Sequence, residues 1–131
     1  MPSGPAFRVR RVYESPEPAD GRRILVDRLW PRGLSKERAE VDEWLKDVTP
    51  SKGLRTAYHS DELDFAGFRA RYLAELAEPE HAAAVDRLLV LAGASPVTLL
   101  TAVKDPERSH VSVLVDHLRR QHDNSGESRG T

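Results

Sequence analysis

The chain has no cysteine among its 131 residues. Disulfides, thiolate nucleophiles and cysteine-bound zinc are therefore excluded. An excess of charge of one sign is also missing. Its 20 Lys and Arg stand against 21 Asp and Glu, a formal net charge of -1. No global field draws such a chain to nucleic acid or to an anionic membrane, so any recognition of an anion must be local. No apolar run approaches the ~18 residues of a membrane span. The start, Met1-Pro2-Ser3-Gly4-Pro5, lacks the basic-plus-apolar pattern of a secretion signal. The expectation is a cytoplasmic protein with no membrane partner. There is no glycine-rich phosphate loop, no Gly-x-Gly-x-x-Gly and no Gly-x-Ser-x-Gly elbow. No cofactor is implied. His81, His117 and His122 are scattered on helical patterns without sharing a face, and no metal site is expected.

What is present suits one domain and one core. Hydrophobic residues make up 39% and charged residues 31%. The ordered domain is expected over 7–122. A flexible lead-in over 1–6 precedes it, and a disordered tail over 123–131, free of apolar anchors, follows.

Phe7 to Tyr13 reads as an edge or half-exposed strand, with Val9 and Val12 among arginines. Arg23 to Arg28 is a second strand, stopped by Pro31 and Gly33. Ser35 can cap a short helix. Val41, Trp44, Leu45 and Val48 fit helical spacing, but Pro50 and the short length fit a strand as well. Ser51 to Tyr58 is a short helix or turn. Asp64 caps a clear amphipathic helix with Phe65, Phe68, Tyr72 and Leu76 along one side. Pro79 opens another helix, through Ala92 to a stop at Gly93. Val97 to Val103 is the most convincing buried strand, and a last helix runs from about Ser109 to His122. Near-continuous apolar strands separated by helices predict an α/β fold: a single compact three-layer domain, with a small, mostly parallel sheet flanked by helices. Ile24 to Arg28 and Val97 to Val103 should be neighbouring parallel strands inside it.

In such sheets ligands bind beyond the carboxyl ends of the strands. Two strands here end in polar clusters. The first is Asp27-Arg28-Leu29-Trp30-Pro31-Arg32. Arg28 and Arg32 can grip phosphate or carboxylate, with Trp30 stacking a ring or screening the site. A purely structural alternative pairs the arginines with Asp27, Asp42 or Glu43. The second cluster is Lys104-Asp105-Pro106-Glu107-Arg108-Ser109-His110. A helix start there favours an anion. Lys104 would add charge, Asp105 would cap the helix, and His110 would be an acid/base candidate. His59, in Tyr58-His59-Ser60-Asp61, is a further acid/base candidate, or simply part of a polar loop.

These residues carry a resemblance. Val-Asp-Arg-Leu-Trp-Pro-Arg-Gly (26–33), Asp-Glu-Trp (42–44), Thr-Pro-Ser (49–51), Leu-Arg (54–55), Phe-Arg-Ala-Arg-Tyr-Leu-Ala-Glu-Leu (68–76) and Val-Thr-Leu-Leu-Thr-Ala-Val-Lys-Asp (97–105) with His110 are similar to the YeaO-like branch of the domain of unknown function 488. The resemblance implies a compact α/β domain and brings no established reaction. It also implies a strand within 41–48. A wider branch carries a Cys-His-Arg turn after the last strand, where this chain has Ser109-His110-Val111. Only the histidine carries over, and thiol chemistry does not.

The reading is a small α/β protein with an anion site at the carboxyl rim, whether or not chemistry follows binding. The site would be built from Arg28, Trp30, Arg32, Lys104 and Asp105, with His110 and His59 as acid/base candidates. Its partner would be a small anionic ligand. One alternative is a nucleic-acid-binding module on an arginine face of Arg8, Arg10, Arg11, Arg22, Arg23, Arg28 and Arg32 with Trp30. The other is a non-catalytic module that binds a protein partner.

Overall fold

Four short strands, all paired in parallel, form the sheet of this computed structural model. Residues 7–130 are described, with side chains described through Asp123. The lead-in expected over 1–6 lies outside the described residues. The strands are β1 (Phe7–Arg11), β2 (Arg22–Leu25), β3 (Glu43–Trp44) and β4 (Val97–Thr101), in spatial order β1-β4-β2-β3. The helices are α1 (Lys36–Ala39), α2 (Lys52–His59), α3 (Phe65–Leu76), α4 (Pro79–Ala94) and α5 (His110–Gly130).

The two apolar strands are indeed central neighbours, with Ile24 opposite Leu99 and Leu25 opposite Leu100. β1 is an edge strand. Side chains alternate across the sheet, as the pleat requires. Phe7, Ile24, Val26, Val97 and Leu99 face a core built with α2, α3, α4 and α5. Val12, Leu25 and Leu100 face the other way, onto Ala39 of α1 and the half-buried Trp30, Leu34, Val41 and Trp44. The second flank is thus a very short helix plus loop aromatics.

Local chemistry sets the helix starts. Ser51 and Asp64 accept the backbone N–H of Leu54 and Gly67, and so cap α2 and α3. The Tyr72 hydroxyl donates to the Val48 carbonyl in the core, tying α3 to the segment before α2.

Several boundaries differ from the sequence reading. β2 ends at Leu25 rather than Arg28, although Val26 N–H still donates to Leu100 O at 3.0 Å. β4 ends at Thr101 rather than Val103, because the next N–H, that of Ala102, goes to the Asp27 carboxylate. Within 41–48 the strand has two residues only, followed by a 3-10 turn, Lys46–Val48. α4 runs through Gly93 to Ala94, since that glycine is exposed and nothing there demands a turn. The backbone of α5 continues past His122 to Gly130. A nucleated helix extends through a polar segment at little cost, so apolar spacing alone marked its end too early.

Opposite the carboxyl rim sits a charge cluster centred on the fully buried Asp20. Arg8, Arg10 and Arg23 reach its carboxylate at 3.5, 2.8 and 2.5 Å. Burial works to raise the Asp20 carboxyl. The Glu17 N–H and the Arg23 and Arg10 guanidiniums more than offset this and hold it below the usual carboxylate range.

Candidate functional site

The carboxyl ends of β2 and β4 open into a cleft of about 560 Å³. Its framework is a set of hydrogen bonds that splice loops together. The Asp27 carboxylate accepts the Thr101 hydroxyl and the Ala102 N–H, each at 2.7 Å. The Asp27 carbonyl accepts the Trp44 indole N–H at 2.7 Å, and the Trp30 indole donates to Leu34 O at 2.7 Å. The two indoles meet edge to face with centroids 5.6 Å apart. Trp30 therefore shapes the turn with its N–H and its edge, and it still borders the cleft. On the far wall, the Tyr58 ring stacks on Phe68 at 4.4 Å, and its hydroxyl donates to Arg108 O at 3.0 Å.

Four arginines line this space: Arg28, Arg32, Arg55 and Arg108. Among the described residues none of them has a carboxylate partner. The carboxylates once available to Arg28 and Arg32 are engaged elsewhere. Asp27 is held by Thr101 and Ala102, the Asp42 carboxylate accepts Arg23 N–H, and Glu43 pairs with Arg87. Arg55 shows the strain of this arrangement. Its Nε is buried with no hydrogen-bond partner. Burial, and then the like charge of Arg28, lower the pKa of its guanidinium.

His110 opens α5 and lies against the same cleft. Its Nε2 donates to Val26 O at 2.7 Å and stands 3.6 Å from Asp27 Oδ1. Burial lowers its pKa, and Arg55 adds to that. The Val26 hydrogen bond and Asp27 work the other way without reversing the shift. The imidazole is therefore held neutral. Ser109, just before it, is committed: its hydroxyl donates to Pro106 O at 2.8 Å and accepts Val111 N–H at 3.1 Å.

The predicted residues thus divide. Arg28, Trp30, Arg32, His59 and His110 converge on one cleft. Lys104 and Asp105 do not: both are exposed and outside its lining. Asp105 precedes a 3-10 turn, Pro106–Arg108, and its side chain makes no capping bond, contrary to expectation. The turn of chain after β4 points these two side chains to solvent, and Ser109 serves the start of α5 instead. Arg55 and Arg108 were missed. Arg55 and His59 are four residues apart on α2, which puts them on one face, and that spacing was readable. Arg8, Arg10 and Arg23, three arginines of that basic face, are balanced by Asp20, Glu14 and Glu17. Among the described residues no cluster of His, Asp and Glu is arranged to hold a metal ion, and no helix is long and apolar enough to cross a membrane.

Comparison with known proteins fits this frame. A family model described as the inactive DUF488-N3 subclade matches residues 6–130. The chain belongs to that family. This DUF488 chain is 49% identical over 110 residues to the uncharacterized protein YeaO of Escherichia coli (strain K12), which covers 84% of this chain and 94% of YeaO. It is 47% identical over 111 residues to the uncharacterized protein Rv3073c of Mycobacterium tuberculosis (strain ATCC 25618 / H37Rv), covering 85% and 92% of the two chains. The uncharacterized protein Mb3100c of Mycobacterium bovis (strain ATCC BAA-935 / AF2122/97) aligns to the same extent. No solved structure matches.

Proposed function

We propose that this protein binds a small oxyanion in the carboxyl-rim cleft and does not transform it. The observation that carries the reading is a set of guanidiniums, Arg28, Arg32, Arg55 and Arg108, gathered around one cavity with no carboxylate partner among the described residues. Arg55 is half-buried beside the like charge of Arg28, while Arg28, Arg32 and Arg108 are exposed along the cleft, and a guanidinium left without a partner forfeits charge-assisted bonds. An oxyanion relieves both. A contact to the half-buried Arg55 would contribute roughly 1.5–3 kcal/mol, and contacts to the exposed arginines less. The location suits the reading too, since parallel sheets place ligands beyond their carboxyl ends.

Binding without turnover is favoured by two observations. The subclade is described as inactive. The residue beside His110 is a serine whose hydroxyl is already engaged, not a thiol. A folded-state ligand stabilises the fold by mass action. Sulfate should therefore raise the melting temperature of the wild type more than chloride does at equal ionic strength. Arg28→Ala and Arg55→Ala should each cut that anion-specific gain. Equal gains in wild type and both variants would sink the reading.

A further inference from the structure

Among the acceptors that line the cleft beside its arginines, the His110 ring is fixed by a hydrogen bond to the backbone. Val26 O is a carbonyl and can only accept, so the 2.7 Å contact puts the ring proton of His110 on Nε2. A neutral imidazole carries one N–H, which leaves Nδ1 with an open lone pair. Among the described residues no protein group donates to Nδ1. The ring is kept from taking a second proton by burial and by the nearby Arg55 guanidinium. The side chain is 14% exposed and borders the cleft. The other charged groups around it are Asp27, whose Oδ1 is 3.6 Å from Nε2 and is occupied by Thr101, and the cationic Arg28, Arg55 and Arg108.

A site of guanidinium donors with an acceptor fixed in place among them distinguishes among oxyanions. Sulfate at neutral pH has only lone pairs, so an oxygen placed against Nδ1 meets repulsion. Hydrogen phosphate, and a phosphate monoester as its monoanion, have an O–H to give. We propose that the cleft selects an oxyanion that carries its own proton, a phosphate species rather than a sulfate or a phosphodiester, and that His110 Nδ1 is the acceptor that reads that proton. The inference rests on the anion-binding reading above and adds the ligand class to it. No bond is made or broken. The ligand O–H donates to Nδ1 while its unprotonated oxygens accept from the arginines.

The test titrates the full chain near neutral pH with inorganic phosphate, sulfate and dimethyl phosphate, an anion with no O–H, and follows binding by calorimetry. Phosphate should bind about tenfold or more tightly than either of the others, the value of one hydrogen bond to a charged partner. His110→Gln puts an amide N–H where Nε2 donates to Val26 O and leaves no acceptor at Nδ1. That variant should lose the phosphate preference and bind sulfate at least as tightly as the wild type does, since the lone pair that repels a sulfate oxygen is gone. On the wild type alone, the ¹⁵N resonance of His110 Nδ1 should move with phosphate and stay still with sulfate, which keeps the test decisive if the variant does not fold. Equal affinity for phosphate and sulfate would overturn the inference and leave the cleft an anion site. A phosphate preference that survives in His110→Gln, or an Nδ1 resonance that ignores phosphate, would overturn it too. No preference for either anion over chloride would overturn both readings.

Discussion

The Asp27 carboxylate accepts the Ala102 N–H at 2.7 Å and so joins the chain just beyond β2 to the chain just beyond β4. With the Thr101 hydroxyl on its other oxygen, one buried acid satisfies two donors at the rim where the cleft begins. Removing it strands both donors. Asp27→Ala should cost about 3 kcal/mol or more of unfolding free energy, from two charge-assisted bonds. Asp27→Asn should cost less, since an amide oxygen replaces one acceptor. Urea denaturation of the pair of variants measures the difference.

Arg55 should behave in the opposite sense. Its Nε is buried without a partner and its charge faces Arg28, so it weakens the unliganded fold. Arg55→Met keeps the aliphatic stem and removes both liabilities. In chloride alone the variant should melt at least as high as wild type, and in sulfate it should gain less. A lower melting temperature in chloride would mean that the guanidinium stabilises the fold by contacts of its own.

The neutral His110 gives a pH dependence with a definite sign. Its folded-state pKa is lowered from 6.5, so on acidification the unfolded chain takes up the proton first. Stability is therefore complete above about 6.5 and falls as the pH drops below it. His117 on α5 is shifted the same way, mainly by its own partial burial, and adds to the trend. His110→Gln should flatten part of the decline in melting temperature between neutral and mildly acidic pH. An unchanged slope would assign the effect to other groups.

Two glycines should respond differently to alanine. Gly21 has φ +62°, and a Cβ there would sit 2.2 Å from the Pro96 carbonyl oxygen. Gly33 has φ +72°, with open space around it. Gly33→Ala should cost roughly 1–2 kcal/mol, the left-handed penalty alone. Gly21→Ala should cost clearly more, because the backbone of β4's lead-in must also move. Equal losses in chemical denaturation would contradict this steric account.

How much of this could be read from the chain varies with physical cause. Ile24 to Val26 and Val97 to Leu100 were legible because central strands have few polar positions. α3 was legible because its apolar spacing follows a cap residue, Asp64. The stretch 41–48 was not, because its apolar residues serve two different cores: Val41 and Trp44 pack beneath the sheet, and Val48 packs above it. One period cannot describe a segment that changes sides. At the cleft, Arg28 and Arg32 stood out beside Trp30 and Pro31. Arg55 sits mid-helix with no proline or aromatic residue beside it to mark it, and only its four-residue spacing to His59 pointed to the shared face. Lys104 was misplaced because charge near a strand end says nothing of direction. β4 stops at Thr101, and the chain has turned toward solvent by residue 104.

The neutralised cluster at Asp20 has a kinetic consequence. With Glu14 and Glu17 it balances Arg8, Arg10 and Arg23 against three carboxylates, in a molecule whose net charge is only -1, so those arginines do not reinforce the field of the cleft. Beyond a Debye length of about 8 Å an approaching anion is not pulled in. Encounter of a small anion should therefore proceed near the plain diffusional rate, without long-range steering. Salt would then act only over the last few ångströms of approach and on residence time. A cleft that binds as proposed would hold its ligand by local contacts alone.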